Sequence, residues 1–213
     1  MSPFGPDPQT FFANVYRGPA PWDIGAAQPA LQALFAALPP EGPVLDAGCG
    51  TGDLAIALAE RGLPTLGVDF VAAAITEAER RAAVQTRAVR QRLALRVGDV
   101  LRPADITPSA WGPPFGTVVD SGFFHLLDDP ARDAFVTNLR RALAPRGRYY
   151  LLAFAVTFAG PNVPRAVTED EVRRRFDSAA GWRLLHCAPA MFTSRIAPVP
   201  AVVACAQRRD FQA

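Results

Sequence analysis

With 213 residues, the chain is long enough to bury one sizeable core, and its formal net charge of +2 gives no reason to expect a polyanionic partner. All 22 basic residues are arginines, which excludes catalysis through a lysine Schiff base. The three cysteines and two histidines do not cluster, so we expect free thiols in a reducing compartment and no metal site. No apolar run reaches the ~20 residues that span a bilayer, and the N-terminus lacks a signal-peptide pattern. These features predict a cytoplasmic protein.

Short apolar runs alternate with longer stretches of helical periodicity, which is typical of a parallel sheet covered by helices on both faces. Strands are predicted at residues 44–47, 65–69, 93–97, 117–120, 149–154, 182–187 and 202–207. Helices are predicted at residues 29–38, 53–61, 72–92, 130–143 and 168–179. We expect Gly62 to end the second helix, Asp129 to cap the fourth and Thr168 to begin a capping box. The pattern predicts one α/β domain with a mostly parallel, seven-stranded sheet.

The N-terminal segment and one later loop are predicted to border a ligand site. Residues 1–8 are rich in proline and carry little to bury, so we expect no ordered packing there. Aromatic side chains then follow in quick succession, at Phe11, Phe12, Tyr16 and Trp22. This density favours a lid that is formed by residues 1–28 and covers the ligand site. The alternative is that the rings pack in the core. The proline-rich residues 156–166 follow a strand and are expected to lie over the carboxyl edge of the sheet, where open α/β sheets bind ligands.

Three glycines at alternate positions, Gly48, Gly50 and Gly52, follow a buried strand and precede a helix. Glycine there allows a sharp turn and close approach of a ligand to the backbone, while the helix N-terminus offers unpaired N–H donors. A dinucleotide fingerprint needs its third glycine at position 53, which holds an aspartate. In addition, Asp46 at the strand end would repel a diphosphate. The loop therefore favours a ligand without phosphates.

Carboxylates end three successive predicted strands, at Asp46, Asp69 and Asp99. A carboxylate at the end of the second strand is placed to accept hydrogen bonds from ribose hydroxyls. The three together suit a nucleoside that carries an amino-acid cation. The alternative for each one singly is that the aspartate caps the turn that follows its strand.

Residues 44–54 resemble motif I of the class I S-adenosylmethionine (SAM)-dependent methyltransferases, Asp69 resembles the acidic residue of motif II, and residues 98–100 resemble the next motif. The resemblance extends over most of the chain, to residues 140–148. It implies a Rossmann-like fold, a SAM-binding domain at residues 29–213, SAM as cofactor and S-adenosylhomocysteine as product.

The same resemblance implies the cofactor contacts. It implies that Asp46 meets the amino-acid end of SAM and that Asp69 holds the ribose. It also implies that SAM lies on the loop and that adenine is recognised by the third motif, through Gly48, Gly50, Asp99 and the amide of Val100. The other expected cofactor-binding residues are Trp22, Cys49, Thr51, Phe70 and Asp120.

The methyl acceptor is expected beside residues 120–125, because the end of the fourth strand faces the methyl donor in a doubly wound sheet. A neutral acceptor must lose a proton, and His125 is the best base available, since His186 is predicted inside the sixth strand. The alternatives are a structural imidazole and an acceptor that binds already ionised and needs no base. The residues expected to bind the acceptor are Phe12, Tyr16, Phe124, His125 and Phe158.

Two segments bear on the class of acceptor. Residues 21–25 resemble a segment of the thiopurine and tellurite-resistance methyltransferases, and residues 120–125 are similar to one in bacterial heterocycle- and quinolone-methylating enzymes. Both imply methyl transfer to O, N or S of a small hydrophobic aromatic or heterocyclic molecule. We expect no nucleic-acid or membrane partner, because the arginines of residues 80–96 are interleaved with apolar residues and follow acidic ones, and we expect a monomer or homodimer. A non-catalytic SAM-binding protein and, less favoured, a nicotinamide-dependent oxidoreductase remain as alternatives.

Overall fold

A central sheet carries the fold in the computed structural model, which describes residues 4, 5, 7–106, 112 and 114–209. Its strands are β1 (Val44–Ala47), β2 (Thr65–Asp69), β3 (Leu93–Val97), β4 (Phe115–Ser121), β5 (Leu143–Phe154), β6 (Trp182–Phe192) and β7 (Val199–Arg208). The helices are α1 (Pro8–Val15), α2 (Pro29–Ala37), α3 (Asp53–Glu60), α4 (Ala72–Ala83), α5 (Arg87–Arg90), α6 (Pro103–Ile106), α7 (Asp129–Ala142) and α8 (Glu169–Arg175), with a 3-10 turn at Phe124–Leu126. The strand order is β3-β2-β1-β4-β5-β7-β6, and β7 is antiparallel to both of its neighbours. The predicted mostly parallel sheet of seven strands is confirmed.

Helices cover both faces of the sheet because the inner strands are apolar on both faces. Leu45 of β1 belongs to the core cluster that Phe135 and Leu139 of α7 complete. Val44, one residue earlier, faces the opposite layer, where Leu31 of α2 and Leu58 of α3 cover the sheet. The two layers hold β1 rigidly, so the loop that follows it has a fixed starting point.

The limits of several elements differ from the prediction, among them β5, which begins at Leu143, and α8, which ends at Arg175. The helix predicted at residues 72–92 is two helices, α4 and α5, because the Thr86 hydroxyl accepts a hydrogen bond from the Val89 amide and starts a new helix. Asp128, not Asp129, caps α7, since its carboxylate accepts from the Ala131 amide. The β6–β7 hairpin extends farther than predicted, to Phe192 on β6 and from Val199 on β7.

The start of the chain is more ordered than its composition predicts. Phe4 is buried, and its ring lies 5.2 Å from that of Phe11 and 4.9 Å from that of Phe12. This aromatic cluster packs against Val71 and Ala74 at the start of α4. Residues 1–3 and 6 lie outside the described part of the chain. Within that part, every helix is too short or too polar to cross a bilayer.

Candidate active site

A cavity of about 680 Å³ opens at the carboxyl ends of β1, β2 and β4, a volume within the range of small-molecule sites. Its walls come from the loop after β1, the N-terminal segment, residues 156–166 and the tip of the β6–β7 hairpin. Fourteen predicted site residues line it: Phe12, Tyr16, Trp22, Asp46, Gly48, Cys49, Gly50, Thr51, Asp69, Phe70, Asp99, Val100, His125 and Phe158. Residues that sequence reasoning placed in separate motifs thus meet around one space.

The loop after β1 needs glycine because other groups approach its backbone closely. Gly50 has φ +53°, and a Cβ there would lie 2.9 Å from the hydroxyl oxygen of Tyr16. Gly48 has φ +71°, and a Cβ there would lie 3.0 Å from Phe123. Its amide donates to the Val68 carbonyl at 2.9 Å, which holds the loop against β2. The backbone surface of the loop is therefore open to a ligand and closed to larger side chains.

Asp46 has a buried side chain with one carboxylate oxygen that lacks a hydrogen-bond partner among the described residues. It is 1% exposed and lines the cavity, and its Oδ2 has no hydrogen-bond partner in the described part of the chain. Burial, together with the charges of Asp120 and Asp69, raises its pKa to about 8. A buried, unpaired carboxylate is costly, and a cationic ligand group would remove that cost. The site is therefore suited to the ammonium of an amino acid.

Asp69 connects the glycine loop to the start of α4. One carboxylate oxygen accepts from the Gly50 amide and the other from the Val71 amide, both at 2.9 Å. Each oxygen keeps a second lone pair, so the carboxylate, which lines the cavity, can still accept from hydroxyl groups of a ligand. Burial raises its pKa.

Asp99 and Val100 form the next part of the wall. The Asp99 carboxylate accepts from the Leu101 amide at 2.9 Å, and the Asp99 amide donates to Asp105. Val100 is buried beneath the cavity. Cys49 is buried as well, and burial raises the pKa of its thiol well above the usual value, so it is a packing residue and not a nucleophile.

The N-terminal segment is held over the end of the cavity that the glycine loop, Asp46, Asp69 and Asp99 form, which we call the cofactor end. The indole N–H of Trp22 donates to the Tyr16 hydroxyl at 3.3 Å, and the two rings meet edge to face. Arg81 of α4 binds Asp23 at 2.6 Å and Asp53 at 2.8 Å, which joins the segment to the start of α3. At its far end, Gln28 exchanges two hydrogen bonds with the backbone of Thr193 on the β6–β7 hairpin.

His125 lies at the other end of the cavity, which is rich in aromatic rings. Its Nδ1 accepts from the Phe154 amide at 3.0 Å, and its ring stacks on Phe154 at 4.1 Å with an interplanar angle of 8°. Burial and the nearby charge of Arg132 lower its pKa to about 3. A neutral imidazole that accepts at Nδ1 carries its proton on Nε2. In this geometry the second ring nitrogen is therefore a donor, and the general base stays a prediction.

We call this end of the cavity the apolar end and define it by Phe123, Leu127, Phe154, Phe158 and Phe192. Sequence reasoning found only Phe158 among them. Phe192 lies beyond the predicted end of its strand, and nothing in the local pattern distinguishes Phe123 from its neighbour. Phe154, at the end of a predicted strand, is the residue that a search of strand ends would have found.

Two predicted site residues do not reach the cavity. Asp120 is fully buried, with its oxygens accepting from the amides of Phe123 and Phe124 and from the Tyr149 hydroxyl. Burial raises its pKa to about 7. Phe124 is fully buried between Phe135 and the guanidinium of Arg132. Both predictions are wrong because the chain turns sharply after β4, so Asp120 supports the turn and Phe124 points inward.

Known proteins were compared with this chain and its fold. The family model described as "Methyltransferase domain" matches residues 45–149. The 2-heptyl-1-hydroxyquinolin-4(1H)-one methyltransferase of Mycobacteroides abscessus is 34% identical over 175 residues, or 78% of this chain and 74% of the relative. A solved structure from work on the conversion of a disulfide bond into a thioacetal group during echinomycin biosynthesis is 30% identical, with a TM-score of 0.77 over 94% of this chain and 93% of the other.

A likeness of fold alone extends to the 1,6-didemethyltoxoflavin-N1-methyltransferase of Burkholderia thailandensis, at 21% identity and a TM-score of 0.70 over 95% of this chain and 87% of the other. The alternatives of a nicotinamide-dependent oxidoreductase and of a non-catalytic protein do not agree with these matches. Since the chain aligns with a methyltransferase over most of its length, with the loop and carboxylates that its sequence predicted around one cavity, it belongs to the class I SAM-dependent methyltransferases and is an enzyme with SAM as its methyl donor.

Proposed function

We propose that the enzyme methylates an oxygen, nitrogen or sulfur atom of a small heteroaromatic molecule held in the apolar end of the cavity. The observation that carries the proposal is the composition of that end, in which the rings of Phe154 and Phe192 contact His125 and the ring of Phe158 packs on Phe154. Flat aromatic walls favour flat ligands, because offset-stacked and edge-to-face contacts between rings add to the burial of apolar area.

The orientation of the cofactor follows from the carboxylates. Asp46 would bind the ammonium of SAM, Asp69 the ribose hydroxyls, and Asp99 with Val100 the adenine. Tyr16 and Trp22 would cover the cofactor from the lid at residues 1–28. SAM, when bound by these residues, would supply an electrophilic methyl group to a lone pair of the acceptor. The chain's own contribution is to align the acceptor and exclude water.

The relative from M. abscessus supports a bicyclic ring compound as the acceptor, because its name gives a 1-hydroxyquinolin-4(1H)-one as its substrate. The 34% identity extends over 78% of this chain. We propose the same chemical class for this enzyme, a nitrogen heterocycle that carries oxygen on its ring.

A two-stage experiment tests the proposal. Calorimetric titration should first give binding of SAM and S-adenosylhomocysteine, with no binding of NAD or NADP. Incubation with SAM and single compounds from three classes, hydroxylated N-heterocycles, phenols and aliphatic thiols, should then give a product heavier by one methylene unit in the first class above all. Methylation of aliphatic thiols alone would contradict an aromatic acceptor.

We also propose that the enzyme works in the cytoplasm as a monomer or homodimer and without a nucleic-acid partner. Three free cysteines support a reducing compartment. Arg80 and Arg81 are engaged with Glu77, which supports a solvated helix face over a surface for phosphates.

A further inference from the structure

We propose that His125 binds an oxygen of the acceptor through its Nε2–H, so that the acceptor enters as an anion and the enzyme provides no general base. The inference deepens the proposed function and rests on it. It assigns to His125 the role of a hydrogen-bond donor that selects acidic ring hydroxyls.

The tautomer of His125 is fixed by its neighbours. The Phe154 amide can only donate, and it does so to Nδ1 at 3.0 Å, so a proton on Nδ1 would face another N–H. The imidazole stacks on the ring of Phe154 and meets the ring of Phe192 edge to face, with centroids 6.4 Å apart. The single proton of the neutral ring is therefore on Nε2.

The Nε2–H is available to a ligand. His125 lines the cavity, and none of the described residues accepts a hydrogen bond from Nε2. The fully buried side-chain polar atoms that lack a partner in the described chain are Asp46 Oδ2, Trp182 Nε1 and Arg208 Nε, so Nε2 retains some access to the cavity. A donor in an apolar wall is poorly solvated, and a ligand oxygen, above all a charged one, would satisfy it.

Arg132 braces the backbone around His125 and is itself paired with a carboxylate. Arg132 of α7, which is 2% exposed, lies close enough for its charge to act on the imidazole, and Glu171 of α8 pairs with it at 2.9 Å through both oxygens. The guanidinium also donates to the backbone carbonyls of Phe124 and Arg165, on either side of the site. From β4, the carboxylate of Asp120 faces the Phe123 and Phe124 amides. Arg132 therefore supports the backbone on both sides of the site, and its charge is balanced by Glu171.

No other group among the described cavity-lining residues can take a proton at the apolar end. The remaining titratable side chains in the lining are Tyr16, Asp23, Asp46, Cys49, Asp53, Asp69 and Asp99. They belong to the lid, to the glycine loop with the helix that follows it, and to the strand ends at the cofactor end of the cavity. Because the acceptor's proton has no recipient there, it must be lost to solvent before the acceptor binds. Acceptors with acidic hydroxyls, such as N-hydroxy heterocycles and electron-poor phenols, fit this requirement.

The closing experiment measures acceptor binding to the S-adenosylhomocysteine complex, apart from turnover. The probes are 1-hydroxyquinolin-4(1H)-one, 4-nitrophenol and unsubstituted phenol, titrated across pH by calorimetry. We expect the dissociation constant of each to fall as pH rises through that probe's own pKa and then to level off, and kcat/KM to follow the same probe-dependent midpoint. A midpoint common to all probes would show an enzyme base and overturn the proposal.

Two variants separate donor from base. His125→Gln keeps an N–H donor toward the cavity and has no imidazole, whereas His125→Phe keeps a stacked ring without a donor. We expect anion binding to weaken about 10-fold or more in His125→Phe and less than about 3-fold in His125→Gln, as for loss of a hydrogen bond to a charged group. An equal loss of kcat/KM in both, with anion binding unchanged, would overturn the proposal.

Controls keep the inference separate from the proposed function. The affinity for S-adenosylhomocysteine should equal that of the wild-type enzyme in both variants, which reports correct folding. If His125→Phe does not fold, the pH dependence of the wild-type enzyme still decides the matter. An absence of methylation across all acceptor classes would contradict the proposed function, whereas neutral phenol binding as tightly as its anion would contradict the role of His125 alone.

Discussion

The guanidinium of Arg81 donates to both carboxylate oxygens of Asp23, 58 positions earlier in the chain, at 3.0 and 2.6 Å. Because Asp23 directly follows Trp22, this contact helps to hold the N-terminal segment over the glycine loop. A third donor–acceptor pair, from Arg81 to Asp53, joins the same guanidinium to the helix that starts at that loop. The pair is partly buried, so salt should weaken it less than a surface contact.

Arg81→Ala should therefore accelerate release of the cofactor. We expect the dissociation rate of S-adenosylhomocysteine to rise about 10-fold, since a partly buried charged pair contributes more than the ~0–1 kcal/mol of an exposed one. Stopped-flow tryptophan fluorescence would measure it. Arg80→Ala is the matched control, because Arg80 is exposed and pairs only with Glu77 among the described residues. Equal dissociation rates in the two variants would show that the Arg81–Asp23 pair does not retain the cofactor.

Asp46 should make cofactor binding release a proton. Its pKa of about 8 keeps the carboxyl protonated in the free enzyme at about pH 6.5, whereas a bound ammonium requires it ionised. Calorimetry in buffers of different ionisation enthalpy should give a release of about one proton per SAM bound. Asp46→Asn should abolish that release and weaken binding. Release that persists in Asp46→Asn would assign it to another group.

The stability of the ligand-free enzyme should fall as pH rises from about 4 to about 8. Burial raises the pKa of Asp46 to about 8 and that of Asp120 to about 7, above the usual 3.8, so the folded chain binds more protons than the unfolded chain in this window. Asp46→Asn removes one of these titrations and should raise the melting temperature at pH ~8 by about 3 °C or more. Differential scanning calorimetry at several pH values checks this, and a flat profile in the wild-type enzyme would contradict it.

Gly50→Ala should affect both folding and cofactor binding. The left-handed backbone at φ +53° strains alanine by about 1–2 kcal/mol, and its Cβ would lie 2.9 Å from the Tyr16 hydroxyl. Gly62→Ala is the control, since φ is +88° there but nothing lies within 4 Å of the added Cβ. We expect a similar loss of stability in both variants and loss of SAM affinity only in Gly50→Ala, measured by chemical unfolding and titration.

The neighbours Phe123 and Phe124 should respond oppositely to truncation. Phe123→Ala removes a wall of the cavity and should raise the KM for the acceptor with a small change in stability. Phe124→Ala creates a void in the core and should cost about 3–5 kcal/mol of stability. Similar stabilities in the two variants would contradict the inward orientation of Phe124.

The sequence alone was sufficient to predict those strands and loops whose structure depends on the local pattern of residues. The first three strands were predicted to the residue, because each is a short apolar run with glycine or aspartate at its end. That the glycine loop after β1 and the strand-end aspartates at positions 46, 69 and 99 line one cavity was predicted in the same way; their contacts with the cofactor stay a prediction.

The apolar end could not be predicted to the same extent, because it depends on contacts between distant parts of the chain. Phe192 reaches it through a hairpin whose length is set by pairing between β6 and β7. The role of His125 depends on the Phe154 amide, 29 positions away, which engages one ring nitrogen and leaves the other as a donor. Composition identified the histidine, but only its hydrogen bond shows which nitrogen carries the proton.

The tip of the β6–β7 hairpin borders the cavity, and its Ile196 is 82% exposed. No cofactor carboxylate comes from this hairpin, and its two strands form the edge of the sheet farthest from β3. Residues 196–198 can therefore change while the carboxylates at positions 46, 69 and 99 stay in place. A graft of these three residues from a relative should alter acceptor preference with little effect on affinity for the methyl donor.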